Sequence, residues 1–194
     1  MTYNLIDNFL SKQDFHNLQE CILNKPFPWY YVGFFVSKEE LINDDTKYFH
    51  FSHCLYDDFT PTSPVGNKDI LTPLIEMTKP VSIRNMTAHL FTRTPEFIPS
   101  TYHVDIGDIK DEPKKLEQWT TAILYVNTNN GYTKFEEDGS IVESVANRYV
   151  EFPASTRHFG TSCTDEKIRV VINFNYISPM GKMEKYEKRT HQRH

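Results

Sequence analysis

The stretch Lys167-Ile-Arg-Val-Val-Ile-Asn-Phe-Asn-Tyr176 combines β-branched and aromatic residues in a two-residue alternation. Alternate side chains of a β-strand point to opposite faces of its sheet. One face of this segment would be apolar, and the other would begin with Arg169 and continue through a valine and two asparagines. The two sets are Val170, Ile172, Phe174 and Tyr176, and Arg169, Val171, Asn173 and Asn175. The stretch therefore predicts a strand that packs on a core with one face and lines a polar interior with the other.

Short segments of the same kind precede this strand and are separated by turn residues. The predicted strands of this half are 120–126, 133–135, 141–145, 148–152 and 167–176, with turns at Asn129-Asn130-Gly131 and Glu137-Asp138-Gly139. Several short strands with turn signals between them are typical of a barrel or a sandwich. We therefore expect a mainly β protein.

The first 80 residues predict helices beside further strands. Ser11 has the position of an N-cap for a helix that ends at about Asn24, and Asp69 would cap a second helix through about Met77. Further strands are expected at 3–9, 29–36, 48–56 and 81–92. These helices would support the β core from outside.

The length of 194 residues is enough for one domain with a sizeable core. We interpret 1–194 as a single domain, with buttressing helices at about 1–80, a β core at about 81–177 and a basic tail at 178–194. The tail also carries glutamates, and we interpret it as a solvated end.

Composition narrows the class of partner and the compartment. The formal net charge of −5 does not favour nucleic-acid binding. The three cysteines, Cys21, Cys54 and Cys163, are widely spaced and odd in number, which favours free thiols in a reducing compartment. No apolar run reaches membrane-spanning length and no signal peptide is recognisable. We expect a cytoplasmic protein without a membrane partner.

The chemistry of the chain is concentrated in His103-Val104-Asp105, His158 and Arg169. His103 and Asp105 are two residues apart, so an extended segment places them on one face, and His158 follows a later strand and turn. Two histidines and one carboxylate are the ligand set of non-haem Fe(II) oxygenases. Arg169 begins a strand, where its guanidinium can bind a carboxylate bidentately.

Taken alone, His103 or His158 would more often be a hydrogen-bonded structural histidine, and Arg169 would more often be a partner in a surface salt bridge. With 8 histidines and 26 acidic residues, about one His-x-(Asp/Glu) motif arises by chance, so the motif depends on its companions. A zinc cluster at His50, His53 and Cys54, with Asp57 and Asp58 nearby, lacks the second paired cluster that zinc sites usually show. Cys163 near His158 lacks the context of a nucleophile.

The order His103-x-Asp105, His158, Arg169 resembles the signature of the 2-oxoglutarate- and Fe(II)-dependent dioxygenases, in particular their prolyl 4-hydroxylase-like group. Segments around the motif resemble the same group and are most similar to small members from phages and marine bacteria. These segments are Thr121–Asn127, Gly131-Tyr-Thr-Lys-Phe135, Val150–Pro153 and Val170–Tyr176. The resemblance covers most of 80–176 well and 1–80 loosely.

This resemblance implies a double-stranded β-helix (jelly-roll) fold. His103, Asp105 and His158 would bind Fe(II), and Arg169 would hold the distal carboxylate of 2-oxoglutarate. Tyr125 matches a tyrosine that shares this contact in relatives, although core packing explains a buried tyrosine equally well. Asn173 and Asn175 are candidates for lining the co-substrate pocket. The implied cofactors are Fe(II), 2-oxoglutarate and O2, with ascorbate as a further candidate.

The sequence departs from the family pattern at two positions. Relatives often carry lysine where Arg169 stands, and both residues supply the charge. Phe91 occupies the place of a tyrosine on the strand before the His-x-Asp segment. His89 and Arg93 share its face and would compensate for the missing hydroxyl or contact substrate.

The implied reaction hydroxylates a C–H bond and converts 2-oxoglutarate to succinate and CO2. We expect a prolyl residue in a peptide as substrate, with a free amino acid or other small metabolite as the alternative. Loops 57–68 and 106–118 would flank the mouth of the site. Two rival functions are a non-enzymatic jelly-roll binding module and a zinc hydrolase on the same ligands.

Overall fold

The computed structural model describes residues 3–24, 26–33, 49–62, 64–65 and 67–179. The predicted basic tail falls outside the described residues except for 178–179. Only the beginning of the strand predicted at 29–36 falls within them.

Eleven strands and three α-helices are present in the described part of the chain. The strands are β1 (Asn4–Ile6), β2 (Tyr30–Val32), β3 (His50–Asp57), β4 (Thr60–Pro61), β5 (Ser82–Thr92), β6 (Thr120–Tyr125), β7 (Tyr132–Phe135), β8 (Ile141–Glu143), β9 (Tyr149–Pro153), β10 (His158–Gly160) and β11 (Ile168–Ile177). The helices are α1 (Lys12–Gln19), α2 (Thr72–Thr78) and α3 (Pro113–Leu116). None of these helices is long and apolar enough to cross a membrane.

The first helix follows its sequence signals, and the second begins differently. Ser11 caps α1 by accepting a hydrogen bond from the Asp14 amide at 3.1 Å, and a π-helical turn extends the helix to Asn24. Asp69, predicted as the cap of the second helix, instead lies inside a π-helical turn, Asn67–Leu71, that leads directly into α2. The helical turns thus begin before Asp69, and the residue at the N-cap of α2 is Leu71, whose side chain forms no capping hydrogen bond.

The larger sheet is antiparallel and has β11 near its centre. Its order is β1-β9-β6-β11-β5-β3-β2, and β4 pairs with β3 at one side. The apolar face of β11 belongs to the main core, which also includes Leu18 of α1 and Leu74 of α2. The opposite face of β11 points away from the helices. The two-faced strand predicted from the alternation of residues is therefore confirmed.

A smaller sheet, β10-β7-β8, covers the inner face of the larger one. A second apolar cluster joins the two, with Tyr125 and Phe152 from the larger sheet and Phe135 and Val142 from the smaller. Isolated bridges, Pro99 with Thr161 and His103 with His158, continue the smaller sheet towards the chain segment before α3. Helices on one side, a large sheet in the middle and a small sheet opposite form the jelly roll that was expected.

Candidate metal centre

Backbone pairing brings the two distant histidines side by side. The amide of His103 donates to the carbonyl of His158 at 3.0 Å, and the amide of His158 donates to the carbonyl of His103 at 3.0 Å. Residues that exchange both hydrogen bonds in an antiparallel pair stand directly opposite each other. Asp105 follows two residues after His103 and completes a group of three.

The ligand atoms of these three residues converge. Nε2 of His103 lies 3.3 Å from Oδ1 of Asp105, and Nε2 of His158 lies 3.6 Å from the same oxygen. All three ligand atoms lie within 4.8 Å of one another, and the described residues contain no second group of this kind. The arrangement matches a site for one metal ion with open positions.

Hydrogen bonds at the far side of each ring set the tautomer that metal binding needs. Nδ1 of His103 lies 2.8 Å from the carbonyl of Thr101, and Nδ1 of His158 lies 3.1 Å from the carbonyl of Thr156. A carbonyl oxygen only accepts, so each Nδ1 carries the hydrogen and donates it. The lone pair of each imidazole is thereby on Nε2, the atom that faces Asp105.

The electrostatics favour an ionised carboxylate at Asp105 and a neutral imidazole at His158. Burial acts to raise the pKa of Asp105, but the two histidines and a hydrogen bond from Asn173 together hold it well below its usual range. Burial lowers the pKa of His158, against the opposing influence of Asp105. These are the protonation states in which both residue types coordinate metals.

Arg169 is buried near the triad, away from every acidic side chain with which it could form an ion pair in the described part of the chain. Arg169 is only 2% exposed, and no described aspartate or glutamate forms an ion pair with it. Its Nε donates to Oγ of Ser144 at 2.8 Å, and its Nη2 approaches Oγ1 of Thr133 at 3.4 Å. The guanidinium carbon lies 5.4 Å from the ring centre of Phe91 and 5.7 Å from that of Tyr125. A buried cation without a counter-charge is costly, so an anion would stabilise this site.

The triad and Arg169 open into the same cavity, which has a volume of about 850 Å³. Thr133 and Gly160 line it beside Arg169, and Asn173 and Asn175 continue the wall along β11. This volume is within the range of small-molecule sites and leaves room beyond a five-carbon diacid.

Only some of the other predicted site residues line the cavity. Tyr125 is fully buried and does not line the cavity. Its hydroxyl donates to Oγ1 of Thr133 at 2.8 Å, and Thr133 is the residue that lines the cavity. His89 and Phe91 line the cavity, whereas Arg93 does not. Thr133 was not among the predicted site residues, although it is the threonine of the Gly131-Tyr-Thr-Lys-Phe135 motif.

The loops and the rival histidine cluster also have clear positions. Loop 106–118 contributes five residues to the lining, whereas the described residues of loop 57–68 contribute none. His50 lines the cavity, but the ring of His53 lies 4.7 Å from that of Phe27, tilted by 57°, and hydrogen-bonds the Pro28 carbonyl. The two histidines are three residues apart on β3 and therefore face opposite sides of the sheet. The cluster therefore does not converge as a metal site.

Comparison of the sequence with protein-family models and with curated proteins found no match. Comparison with solved structures found 2-oxoglutarate-Fe(II) oxygenases. A prolyl hydroxylase from Trichoplax adhaerens, in complex with a peptide fragment of the hypoxia inducible factor oxygen degradation domain, has a TM-score of 0.61, with 12% identity over 95% of this chain and 86% of that one. An oxidoreductase of the 2OG-Fe(II) oxygenase family from Burkholderia pseudomallei has a TM-score of 0.59, with 8% identity over 90% and 85%.

A third similar structure is the epimerase SnoN in complex with Fe3+, α-ketoglutarate and nogalamycin RO. It has a TM-score of 0.57, with 10% identity over 91% of this chain and 79% of that one. The chain thus has the double-stranded β-helix fold of the 2-oxoglutarate- and Fe(II)-dependent oxygenases. The resemblance drawn from the His-x-Asp, His and Arg signature is confirmed at the level of the fold.

Proposed function

We propose that the protein is a 2-oxoglutarate- and Fe(II)-dependent oxygenase that hydroxylates a C–H bond. The observation that carries the proposal is a buried Arg169, which pairs with no described acidic residue, at one end of a cavity that has His103, Asp105 and His158 at the other. A dicarboxylate that also binds the metal accounts for both features at once. Neither a structural metal nor an isolated buried arginine accounts for the two together.

His103, Asp105 and His158 would hold the iron. Each supplies one ligand atom, both imidazoles present Nε2, and the carbonyls behind them keep the rings in place. When bound, Fe(II) with 2-oxoglutarate reduces O2 so that one oxygen atom enters the substrate C–H bond and the other enters succinate, with release of CO2.

Arg169 would bind the distal carboxylate of 2-oxoglutarate, with Thr133 beside it. Oγ1 of Thr133 accepts from Tyr125 at 2.8 Å and lies 3.4 Å from Nη2 of Arg169. Because both contacts come from donors, the hydroxyl hydrogen of Thr133 is left to donate into the cavity. A guanidinium and a hydroxyl then face the same carboxylate, and Tyr125 supports them from behind.

For the substrate we propose a prolyl residue in a peptide. The resemblance to the prolyl 4-hydroxylase-like group and the fold shared with the Trichoplax adhaerens enzyme support this choice. The cavity opens beside loop 106–118, whose residues Lys110 and Asp111 are exposed at its edge. A chain longer than one residue can therefore reach the metal from outside.

The test is succinate formation from 2-oxoglutarate by the full chain loaded anaerobically with Fe(II) and then exposed to O2, with and without proline-containing peptides. We expect succinate that depends on Fe(II) and disappears in His103→Ala and Asp105→Ala. His16→Ala is the matched control, because His16 is an exposed residue of α1 far from the triad in the fold; it should retain activity.

Binding measurements separate this proposal from its rivals. We expect Arg169→Gln to weaken 2-oxoglutarate binding at least about tenfold, since a charge-assisted contact is lost. Arg148→Gln, which removes an ion pair with Asp7 and a hydrogen bond to the Glu143 carbonyl, should leave that affinity unchanged. Unaltered affinity in Arg169→Gln contradicts the assigned role, and metal binding without any succinate supports a binding module instead.

A further inference from the structure

Asn173 presents a buried hydrogen-bond acceptor beside the metal triad. Its Nδ2 donates to Oδ2 of Asp105 at 2.8 Å, whereas its Oδ1 is buried and meets no hydrogen-bond donor among the described residues. A carboxylate only accepts, so the amide cannot be turned the other way without losing this bond. The orientation of Asn173 is therefore set by Asp105, and in this cavity-lining residue the carbonyl oxygen is left without a donor among the described residues.

This oxygen is poorly suited to 2-oxoglutarate. Asn173 lies four residues beyond Arg169 on β11, about 13 Å along the strand, at the metal end of the cavity. The carboxylate and keto groups of 2-oxoglutarate carry only acceptors, and two acceptors repel each other. Oδ1 of Asn173 instead requires an N–H or O–H donor from another molecule.

The wall around Asn173 is polar and uncharged. Thr87 stands opposite Asn173 in the pairing of β5 with β11, and Asn85, His89 and Ser52 line the cavity beside it. Nδ1 of His89 is also buried without a hydrogen-bond partner among the described residues. Burial lowers the pKa of His89 to about 4, so its ring is neutral at pH 7. Apart from the metal ligand Asp105, this part of the wall offers amide, hydroxyl and imidazole groups and no ion.

The charged side chains of the cavity outside the triad and Arg169 lie elsewhere. Among the described lining residues they are Lys110, Asp111 and Arg157, and all three are exposed. A charged substrate group would thus be met at the mouth, whereas the interior beside the metal selects a neutral one.

We propose that Asn173 binds the substrate, with Oδ1 accepting a hydrogen bond from an uncharged N–H or O–H group next to the C–H bond that is oxidised. The inference rests on the proposed function and adds the class of substrate group: an amide or an alcohol rather than an acid or an amine. Because Asn173 is also bonded to the ligand Asp105, the donor would be held at a constant distance from the metal.

The test uses matched probes that differ only in the donor. One pair is N-acetylproline methylamide and its dimethylamide, and the other is N-acetylprolinol and its methyl ether. Each is titrated by calorimetry, without O2, into the full chain bound to Mn(II) and 2-oxoglutarate. The amide pair and the alcohol pair distinguish the two sources of the donor.

We expect wild type to bind the donor-bearing member of at least one pair about tenfold more tightly than its methylated partner, the cost of leaving one buried acceptor unpaired. In Asn173→Leu the two members should bind to within a factor of about two. The ratio within a pair cancels any general weakening of the metal site. Asn24→Leu, at an exposed position, should keep the wild-type ratio, and Asn173→Ala is the second variant if Asn173→Leu does not fold.

The outcomes are distinguishable. If wild type binds neither Mn(II) nor 2-oxoglutarate, the proposed function fails and this inference fails with it. If both bind but no probe binds, or the methylated members bind equally well, solvent satisfies Oδ1 of Asn173 and only this inference is overturned. The same holds if Asn173→Leu keeps the wild-type ratio.

Discussion

The hydroxyl of Tyr125 donates a 2.8 Å hydrogen bond to Oγ1 of Thr133, and of these two residues Thr133 lines the cavity whereas Tyr125 does not. Burial raises the pKa of Tyr125, so its hydroxyl stays protonated and remains a donor. The tyrosine therefore orients the threonine, and the threonine, together with Arg169, faces the proposed carboxylate.

This order of contacts predicts that Thr133→Val damages 2-oxoglutarate binding more than Tyr125→Phe. Thr133→Val removes a hydroxyl that faces the ligand, which should weaken binding about tenfold. Tyr125→Phe removes only the support, and we expect an effect of about threefold or less. Calorimetric titration of the Mn(II)-bound protein with 2-oxoglutarate measures both. A larger effect in Tyr125→Phe would mean that the tyrosine hydroxyl contacts the ligand itself.

Gly131 gives a second prediction about the same site, because the Arg169 side chain lies against its Cα. A Cβ added at Gly131 would stand 2.6 Å from Cδ of Arg169 and 2.8 Å from the carbonyl oxygen of Ser162. Gly131→Ala should therefore displace the arginine, lower the stability by about 1–3 kcal/mol and weaken 2-oxoglutarate binding.

The control for this change is Gly107→Ala. An added Cβ at Gly107 meets no atom within 4 Å, so both the melting temperature and the 2-oxoglutarate affinity should stay at the wild-type values. A Gly131→Ala protein with normal stability and normal affinity would show that Arg169 can take another position.

The alternation in 167–176 contained enough information to predict the central strand, both of its faces and the inward position of Arg169. Local alternation decides such features because one side of the strand must be buried. The approach of His103 to His158 follows instead from strand pairing across the smaller sheet, which no local pattern shows. The family resemblance supplied that information.

Other features depend on tertiary contacts that the residues alone do not reveal. Tyr125 was a candidate for the carboxylate contact, yet it reaches the cavity only through Thr133, since a tyrosine on an inner face can either line a cavity or fill the core. Ser144 lies between β8 and β9, and nothing in the sequence around it indicates a role at the site. In the structure it accepts a 2.8 Å hydrogen bond from Arg169. Asp69 is of a residue type that commonly caps the start of a helix, but it lies inside a π-helical turn.

The buried position of His50 should make the folded protein less stable in acid. Burial, with a smaller contribution from nearby His89, lowers the pKa of His50 from 6.5 to about 3. The unfolded chain therefore takes up a proton on this residue below pH 6.5 while the folded protein does not. Stability should fall with decreasing pH between about 6.5 and 3, by up to about 1.4 kcal/mol per pH unit from this residue.

The measurement compares urea unfolding of wild type and His50→Asn at pH 7 and pH 5, both without metal. We expect the variant to lose less stability than wild type over this interval, because asparagine does not titrate. Other buried histidines, such as His158, contribute equally to both proteins and cancel. An identical loss in the two proteins would show that His50 is protonated in the folded state.

Glu151 is a buried carboxylate in the core on the helix side of the larger sheet. Its Oε2 accepts hydrogen bonds from Tyr149 at 2.9 Å and Tyr176 at 2.6 Å, and its Oε1 accepts one from Asn4 at 3.2 Å. Burial raises the pKa of both tyrosines, so their hydroxyls remain donors. Glu151→Leu would leave these donors short of an acceptor in the core and should cost about 2–4 kcal/mol.

Glu151→Gln keeps one acceptor oxygen in a side chain of the same size and should cost roughly half as much. Glu143→Gln, on an exposed position of β8, is the control and should change the unfolding free energy by less than about 0.5 kcal/mol. Urea denaturation followed by circular dichroism gives all three values. Because this network lies on the face of the sheet opposite the cavity, 2-oxoglutarate affinity should be retained in folded Glu151→Gln. If Glu151→Leu is as stable as wild type, the two tyrosines satisfy each other through their own 2.9 Å contact, and the carboxylate is not needed for the fold.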